Sequence, residues 1–157
     1  DADAINIIAE TPDLLTHIPK GSVLTPHVGE FERLCGKQAD GLARIEKIIE
    51  LAVTNQLVVV LKGAHTVVTD ESGHVFFNTT GNAGMATAGS GDVLAGVITG
   101  LMAQGLSGKE AALSGVFLHG MAGDLAENKV GKSSLMASNL LNELHMTFSN
   151  VAITSIF

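Results

Sequence analysis

Five residues limit the fold of this chain more than any others, the run Leu57-Val-Val-Val-Leu61. β-Branched side chains favour strands, and an apolar side chain at every position leaves no face for water. Such a strand has to be covered on both sides, as in the central parallel strands of a layered α/β sheet. Its surroundings agree. Between Asp40 and Asn55, Leu42, Ile45, Ile49 and Ala52 recur at helical spacing, with Asp40 placed as the N-cap. Downstream, Thr66–Thr69 and His74–Asn78 are apolar and β-branched runs around Asp70-Glu-Ser-Gly73, which predicts a hairpin.

The other elements follow from local signals. Ala4 to Ala9 predicts one or two helical turns after Asp3 as N-cap, and Thr11–Gly21, with Pro12 and Pro19, a helix end and loop. Ser22–Pro26 predicts a short strand stopped by its proline, and Val28–Cys35 a short helix closed by Gly36. Gly91–Ala103 is apolar nearly all round and predicts a buried helix, in which Gly96 and Gly100 would allow close helix packing. Ser107 and Glu110 form a capping-box pattern for a helix reaching about Glu127, and a last helix is expected near Ser138–His145. The tail Phe148–Phe157 is β-like and has no evident place. Strands alternating with helices predict a layered α/β sheet with helices on both faces and one β-hairpin, in a single domain over 1–157.

Charge narrows the function. Lys and Arg number 9 against 16 Asp and Glu, so the net charge is 9 − 16 = −7. That argues against a nucleic-acid or membrane-binding face, and the apolar runs are shorter than the roughly 18 residues that span a bilayer. A single cysteine, Cys35, permits no internal disulfide and suits a reducing, cytoplasmic compartment.

The segment Gly81-Asn-Ala-Gly-Met-Ala-Thr-Ala-Gly-Ser-Gly-Asp-Val-Leu-Ala-Gly96 crowds glycines in front of the apolar helix. A helix N-terminus exposes unpaired N–H groups, and glycines ahead of it let the backbone close around an anion. Gly89, Ser90 and Gly91 occupy that place as a candidate anion hole, and Asp92 falls in the first turn, where the helix terminus favours its negative charge. The bland alternative is a set of turn residues before an ordinary N-terminal helix acid. The spacing matches neither the dinucleotide fingerprint nor a P-loop, and Gly89-Ser90-Gly91 lacks the nucleophile elbow.

Three stretches occur in one order, Thr25-Pro-His-Val-Gly-Glu-Phe-Glu-Arg-Leu34, Leu61-Lys-Gly-Ala-His-Thr-Val-Val68 and Thr79–Gly96. Together they resemble the ADP/ATP-dependent NAD(P)H-hydrate dehydratase family, a branch of the ribokinase-like superfamily. The resemblance runs from Asp1 to about Leu141. It implies repair of hydrated NADH or NADPH by phosphoryl transfer from ADP or ATP to the ring hydroxyl and loss of phosphate. By the same resemblance Asp92 contacts substrate as the general base and His27 contacts substrate. Lys62, Gly63, Ala64, His65, Thr66 and Gly91 bind the adenine nucleotide, and the amides of Gly89, Ser90 and Gly91 hold the transferring phosphoryl group. Glu30 stands where ribokinase-like kinases place a glutamate that organises Mg²⁺. A homo-oligomer is also implied.

Each residue has a plainer reading. His27 can cap the helix at Val28, Lys62 can be a solvated charge, and Glu30 can be a surface helix acid. His119, on an apolar helix, reads as a satisfied core histidine. His17, His74 and His145 show no metal-ligand spacing. Asp1-Ala-Asp3 resembles a family segment that follows a mid-domain strand, which implies a fragment lacking the N-terminal part of the fold. A kinase of a hydroxyalkyl heterocycle on the same fold, or a non-catalytic nucleotide-binding domain, stays open as an alternative.

Overall fold

A computed structural model describes residues 1–150. The chain divides into two compact units, one of Asp1–Asn78 with Leu106–Leu113, the other of Thr79–Gly105 with the residues from Ser114 on.

The first unit is built on a sheet of four strands in the order β1 (Val23–Leu24), β2 (Val58–Leu61), β3 (Val67–Thr69), β4 (Val75–Phe77). β1 runs parallel to β2, whereas β3 and β4 are antiparallel to their predecessors. The fully apolar β2 is buried at every position, as its composition requires, yet it is parallel on one side only. The reason is connection length. Residues 62–66 are too few for the crossover that a parallel neighbour demands. The predicted hairpin therefore starts at β2 itself. β1 is shorter than Ser22–Pro26, and beyond it the pairing continues as a single bridge from His27 to Lys62.

Alternation along the strands sends Val59, Leu61 and Val67 to one face. There they pack with Phe31 of α2 (Val28–Cys35) and with Ile48, Leu51 and Ala52 of α3 (Gly41–Asn55). Asp40 Oδ1 accepts the Ala43 N–H at 2.9 Å, the N-cap that the spacing predicts. On the opposite face the Lys109 ammonium lies 5.3 Å from the centre of the Phe76 ring. Lys109 belongs to the start of α5 (Gly108–Val130) and also binds Asp70 Oδ2 at 2.7 Å. α1 (Asp3–Glu10) has Ala2, not Asp3, at its N-cap position. Ala2 takes a left-handed φ of 47°, no side chain caps the helix, and Asp3 is its first residue. Pro12–His17, expected as loop, winds into a 3₁₀ helix.

The second unit gathers α4 (Ser90–Ala103), most of α5, and α6 (Ala137–Asn150). Val93, Ala126, Leu135 and Leu140 form its core with Met85, Val97 and Leu144 packed alongside. α5 begins at the Ser107–Glu110 capping box and outruns Glu127 to reach Val130. α6 outruns His145 because Thr147, fully buried, extends its inner face. Phe148–Asn150 thus complete a helix, where a β-like tail was expected; the remainder of that tail lies outside the described residues. Gly96 and Gly100 do not mediate close packing, since a Cβ added at either meets nothing within 4 Å. Among the described residues no helix is long and apolar enough to cross a membrane.

Candidate functional site

In the first unit the sequence-predicted residues gather at the C-terminal ends of β1 and β2, the usual place for ligands in α/β sheets. β1 ends in Thr25 and Pro26, and His27 becomes the N-cap of α2. Its Nδ1 accepts the Glu30 N–H at 3.2 Å, while its own N–H donates to Glu30 Oε2 at 2.8 Å. With Nδ1 accepting, the neutral ring carries its proton on Nε2, 3.4 Å from Glu30 Oε1. The plainer reading of His27 as a cap therefore describes its local bonds. The ring still stands half in solvent, with 53% of its side chain exposed, and its outer edge can meet a ligand.

Lys62 is tied to the same place from β2. Its N–H donates to the Pro26 carbonyl at 2.8 Å, and its ammonium lies 2.6 Å from Asp1 Oδ1 and 4.0 Å from Glu30 Oε2. It is not a solvated charge, since only 19% of the side chain is exposed. The pairing of Asp1 with Lys62 was invisible in the sequence because it spans almost the whole first unit. Gly63, Ala64 and His65 follow as an exposed turn. They form one wall of an open cleft of ≈ 570 Å³, whose other walls include Val28, Leu42, Ile45 and Phe77. Leu42 and Phe77, 69% and 62% exposed, give the cleft an apolar surface suited to a flat ring beside the polar Lys62–Thr66 turn.

In the second unit, Gly89 occupies the N-cap of α4 with φ 83°, a left-handed conformation that a side chain would strain. This turn brings Ser90, Gly91 and Asp92 into the first helical turn. The Ser90 N–H donates to the Thr87 carbonyl at 3.2 Å. For the N–H groups of Gly89, Gly91 and Asp92 no protein acceptor stands among the described residues. Of the predicted anion hole, the Ser90 amide is thus engaged internally and the Gly89 and Gly91 amides are available; the Asp92 N–H, outside that prediction, is available beside them. The Asp92 side chain is exposed on the same turn.

Two residues beneath this segment were not singled out by sequence reasoning as site residues. His119 on α5 is buried, and its Nε2 donates to the Ser90 carbonyl at 3.0 Å, with Ser90 Oγ at 3.4 Å. Burial pushes its pKa down to about 4, so the ring is neutral. It is the satisfied core histidine its apolar helix suggests, and its partner is the glycine segment. Asp124, one turn further, accepts the Gly81 N–H at 2.9 Å on Oδ2 and the Asn82 Nδ2–H at 3.1 Å on Oδ1. The signal that could have found them is their spacing of five on a helix that also carries Gly120 and Gly123. The bed for a loop needs small residues between its anchors.

The described residues do not compose a magnesium site on their own. No group of three His, Cys, Asp or Glu among them could hold a metal ion. Glu30, the candidate carboxylate, is buried with its oxygens turned to His27 and Lys62.

Comparison with known proteins gives a consistent result. The family model described as NAD(P)H-hydrate dehydratase matches residues 1–146. A bifunctional NAD(P)H-hydrate repair enzyme Nnr of Thermofilum pendens is 43% identical over 146 residues, covering 92% of this chain and 28% of the relative. An ADP/ATP-dependent NAD(P)H-hydrate dehydratase of Bacillus subtilis, crystallised with ATP and Mg²⁺, superposes with a TM-score of 0.75 at 36% identity. That match covers 82% of this chain and 48% of the other. A ribokinase-like superfamily protein of Enterococcus faecalis gives a TM-score of 0.77 at 29% identity over 94% of this chain and 50% of its own. The fold is therefore the ribokinase-like layered α/β sheet. The chain spans less than a third of the curated relative and about half of the two solved structures.

Proposed function

The chain belongs to the NAD(P)H-hydrate dehydratase family, and on that premise we propose that it supplies the phosphoryl-transfer machinery of an ADP- or ATP-dependent repair of hydrated NADH or NADPH. The observation that carries this reading is the first turn of α4. It offers the N–H groups of Gly91 and Asp92 and, on the same turn, the exposed Asp92 carboxylate. An anion and a hydroxyl can therefore be held side by side at one helix terminus.

In the proposed reaction Asp92 takes the proton of the ring hydroxyl as its oxygen attacks the terminal phosphorus. The bond from that phosphorus to the leaving nucleotide oxygen breaks. The loop amides of Gly89 and Gly91 hold the charge that spreads over the transferring group, where preorganised dipoles contribute most. Phosphate then departs with the electrons of the ring carbon–oxygen bond. A ring proton is lost as the double bond reforms, and the reduced cofactor is restored. Lys62–Thr66 and the apolar cleft beside them take the adenylate, and the outer edge of His27 takes part of the hydrate. Magnesium, which the resemblance implies, would be carried by the nucleotide phosphates, since Glu30 is engaged as a cap. The working protein is read as a cytoplasmic homo-oligomer.

The test is stoichiometry. The natural protein that carries this chain, given hydrated NADPH with ADP or ATP, should release one phosphate for each reduced cofactor restored. Accumulation of a phosphorylated product without phosphate release would replace this reading with that of a kinase.

A further inference from the structure

The glycine-rich segment is the part of the site with the least intrinsic order, yet the chemistry proposed for it needs amides fixed to a fraction of an ångström. Glycines supply no side chains to lock it, so the order has to come from outside. One face of α5 supplies it. At the entry, both carboxylate oxygens of Asp124 are used, by the Gly81 N–H at 2.9 Å and by Asn82 Nδ2 at 3.1 Å. Asn82 passes the constraint on, because its Oδ1 accepts the Gly84 N–H at 3.0 Å. The segment packs closely on the helix, since a Cβ added at Gly120 would collide with Thr80, its backbone carbon included, and one at Gly123 with the Met85 side chain. At the exit, His119 Nε2 holds the Ser90 carbonyl at 3.0 Å.

We propose that Asp124 is a positioning residue for phosphoryl transfer, acting through Asn82 to clamp the entry of the Gly81–Ser90 segment onto α5 while His119 holds its exit. Its effect is on the loop amides and on Asp92, which they precede. The catalytic consequence rests on the functional reading above; the clamp itself is a statement about hydrogen bonds and stands apart from it.

The network makes a demanding test possible, because it can be inverted. In Asp124→Asn the new amide faces the Asn82 amide. Whichever way the two are flipped, one N–H meets another N–H. In Asn82→Asp two carboxylates face each other. In the double variant all three bonds return, with only the one between side chains 82 and 124 reversed in direction. Asn at 124 accepts the Gly81 N–H and donates to Asp at 82, which accepts the Gly84 N–H.

The experiment compares the natural protein with these three variants. Amide hydrogen exchange over residues 81–91 is read alongside kcat and KM for the nucleotide. Both single variants should exchange faster there and lose at least about tenfold in kcat, since small misplacements of reacting groups cost about that much or more. KM for the nucleotide should change less than about threefold, because the adenylate segment Lys62–Thr66 is untouched. The double variant should regain most of the exchange protection and of kcat. A double variant that stays as slow as either single one overturns the proposal, since Asp124 or Asn82 would then act by its own chemistry. Single variants with native exchange overturn the clamp. A wild-type protein that does not restore the hydrate overturns the functional reading instead, and the exchange data alone decide on the clamp.

Discussion

His119 is buried against a carbonyl that can only accept, so its ring must keep a proton on Nε2, and solvent cannot help it take a second. Its pKa falls from the usual 6.5 to about 4 through that burial. The sign follows. Between these values the unfolded chain binds a proton that the folded chain refuses, so stability is full above about pH 6.5 and falls as the pH drops toward 4. The loss is about 3 kcal/mol for one such group. Denaturant unfolding at about pH 7 and about pH 4.5 should show it, and His119→Gln, which keeps an amide donor, should flatten the slope. Asp70 does not confuse the window. Burial alone would raise its carboxyl, but Lys109, the His74 side chain and N–H, and the Ser72 N–H outweigh burial and hold it well below the carboxylate range. Its contribution is lost only in stronger acid. Single residues were legible in the sequence where their partners are local. Asp40, Ser107 and the pair His27 and Glu30 each cap a helix within three residues. Asp1 with Lys62 and Asp124 with Gly81 are bonds between distant segments, and no periodicity announces them.

α5 shows why the helices were easier to place than their purposes. Its capping box and apolar run made it visible, but nothing in the run distinguishes glycines that receive a loop from glycines that merely tolerate solvent. The contact distances do. Alanine is the better helix former by about 1 kcal/mol, so at Gly96, where an added Cβ meets nothing within 4 Å, Gly96→Ala should stabilise by about that amount. At Gly120 the same change drives a methyl group into Thr80, with its backbone carbon 2.8 Å away. Overpacking of this kind costs about 1–3 kcal/mol, and Gly120→Ala should destabilise despite the propensity gain. Thermal unfolding of the two variants checks the opposite signs. The sheet teaches the same lesson about length. Leu57–Leu61 declared itself a covered strand, and the short 62–66 connection, read with equal weight, would have declared its second neighbour antiparallel.

The two units divide the labour that the family resemblance assigns. The first carries the Lys62–Thr66 turn beside an apolar cleft, where the adenylate is proposed to bind, and the second carries backbone amides and a carboxylate at the start of α4. The layered fold was legible from patterning, and the candidate site from motifs whose meaning came from the resemblance. The anchoring of the glycine-rich segment was not legible, because it lies in hydrogen bonds from α5. The central claim is that Asp92 takes the proton of the attacking hydroxyl. Asp92→Asn keeps the shape and the helix start but removes the base. It is best measured in the natural protein, as the rate of phosphate release from ADP or ATP with saturating hydrated cofactor. A drop of about 10²–10⁴ in kcat, with nucleotide affinity retained or tightened as a negative charge leaves the phosphates, is the result this account predicts; near-native turnover by Asp92→Asn would contradict it.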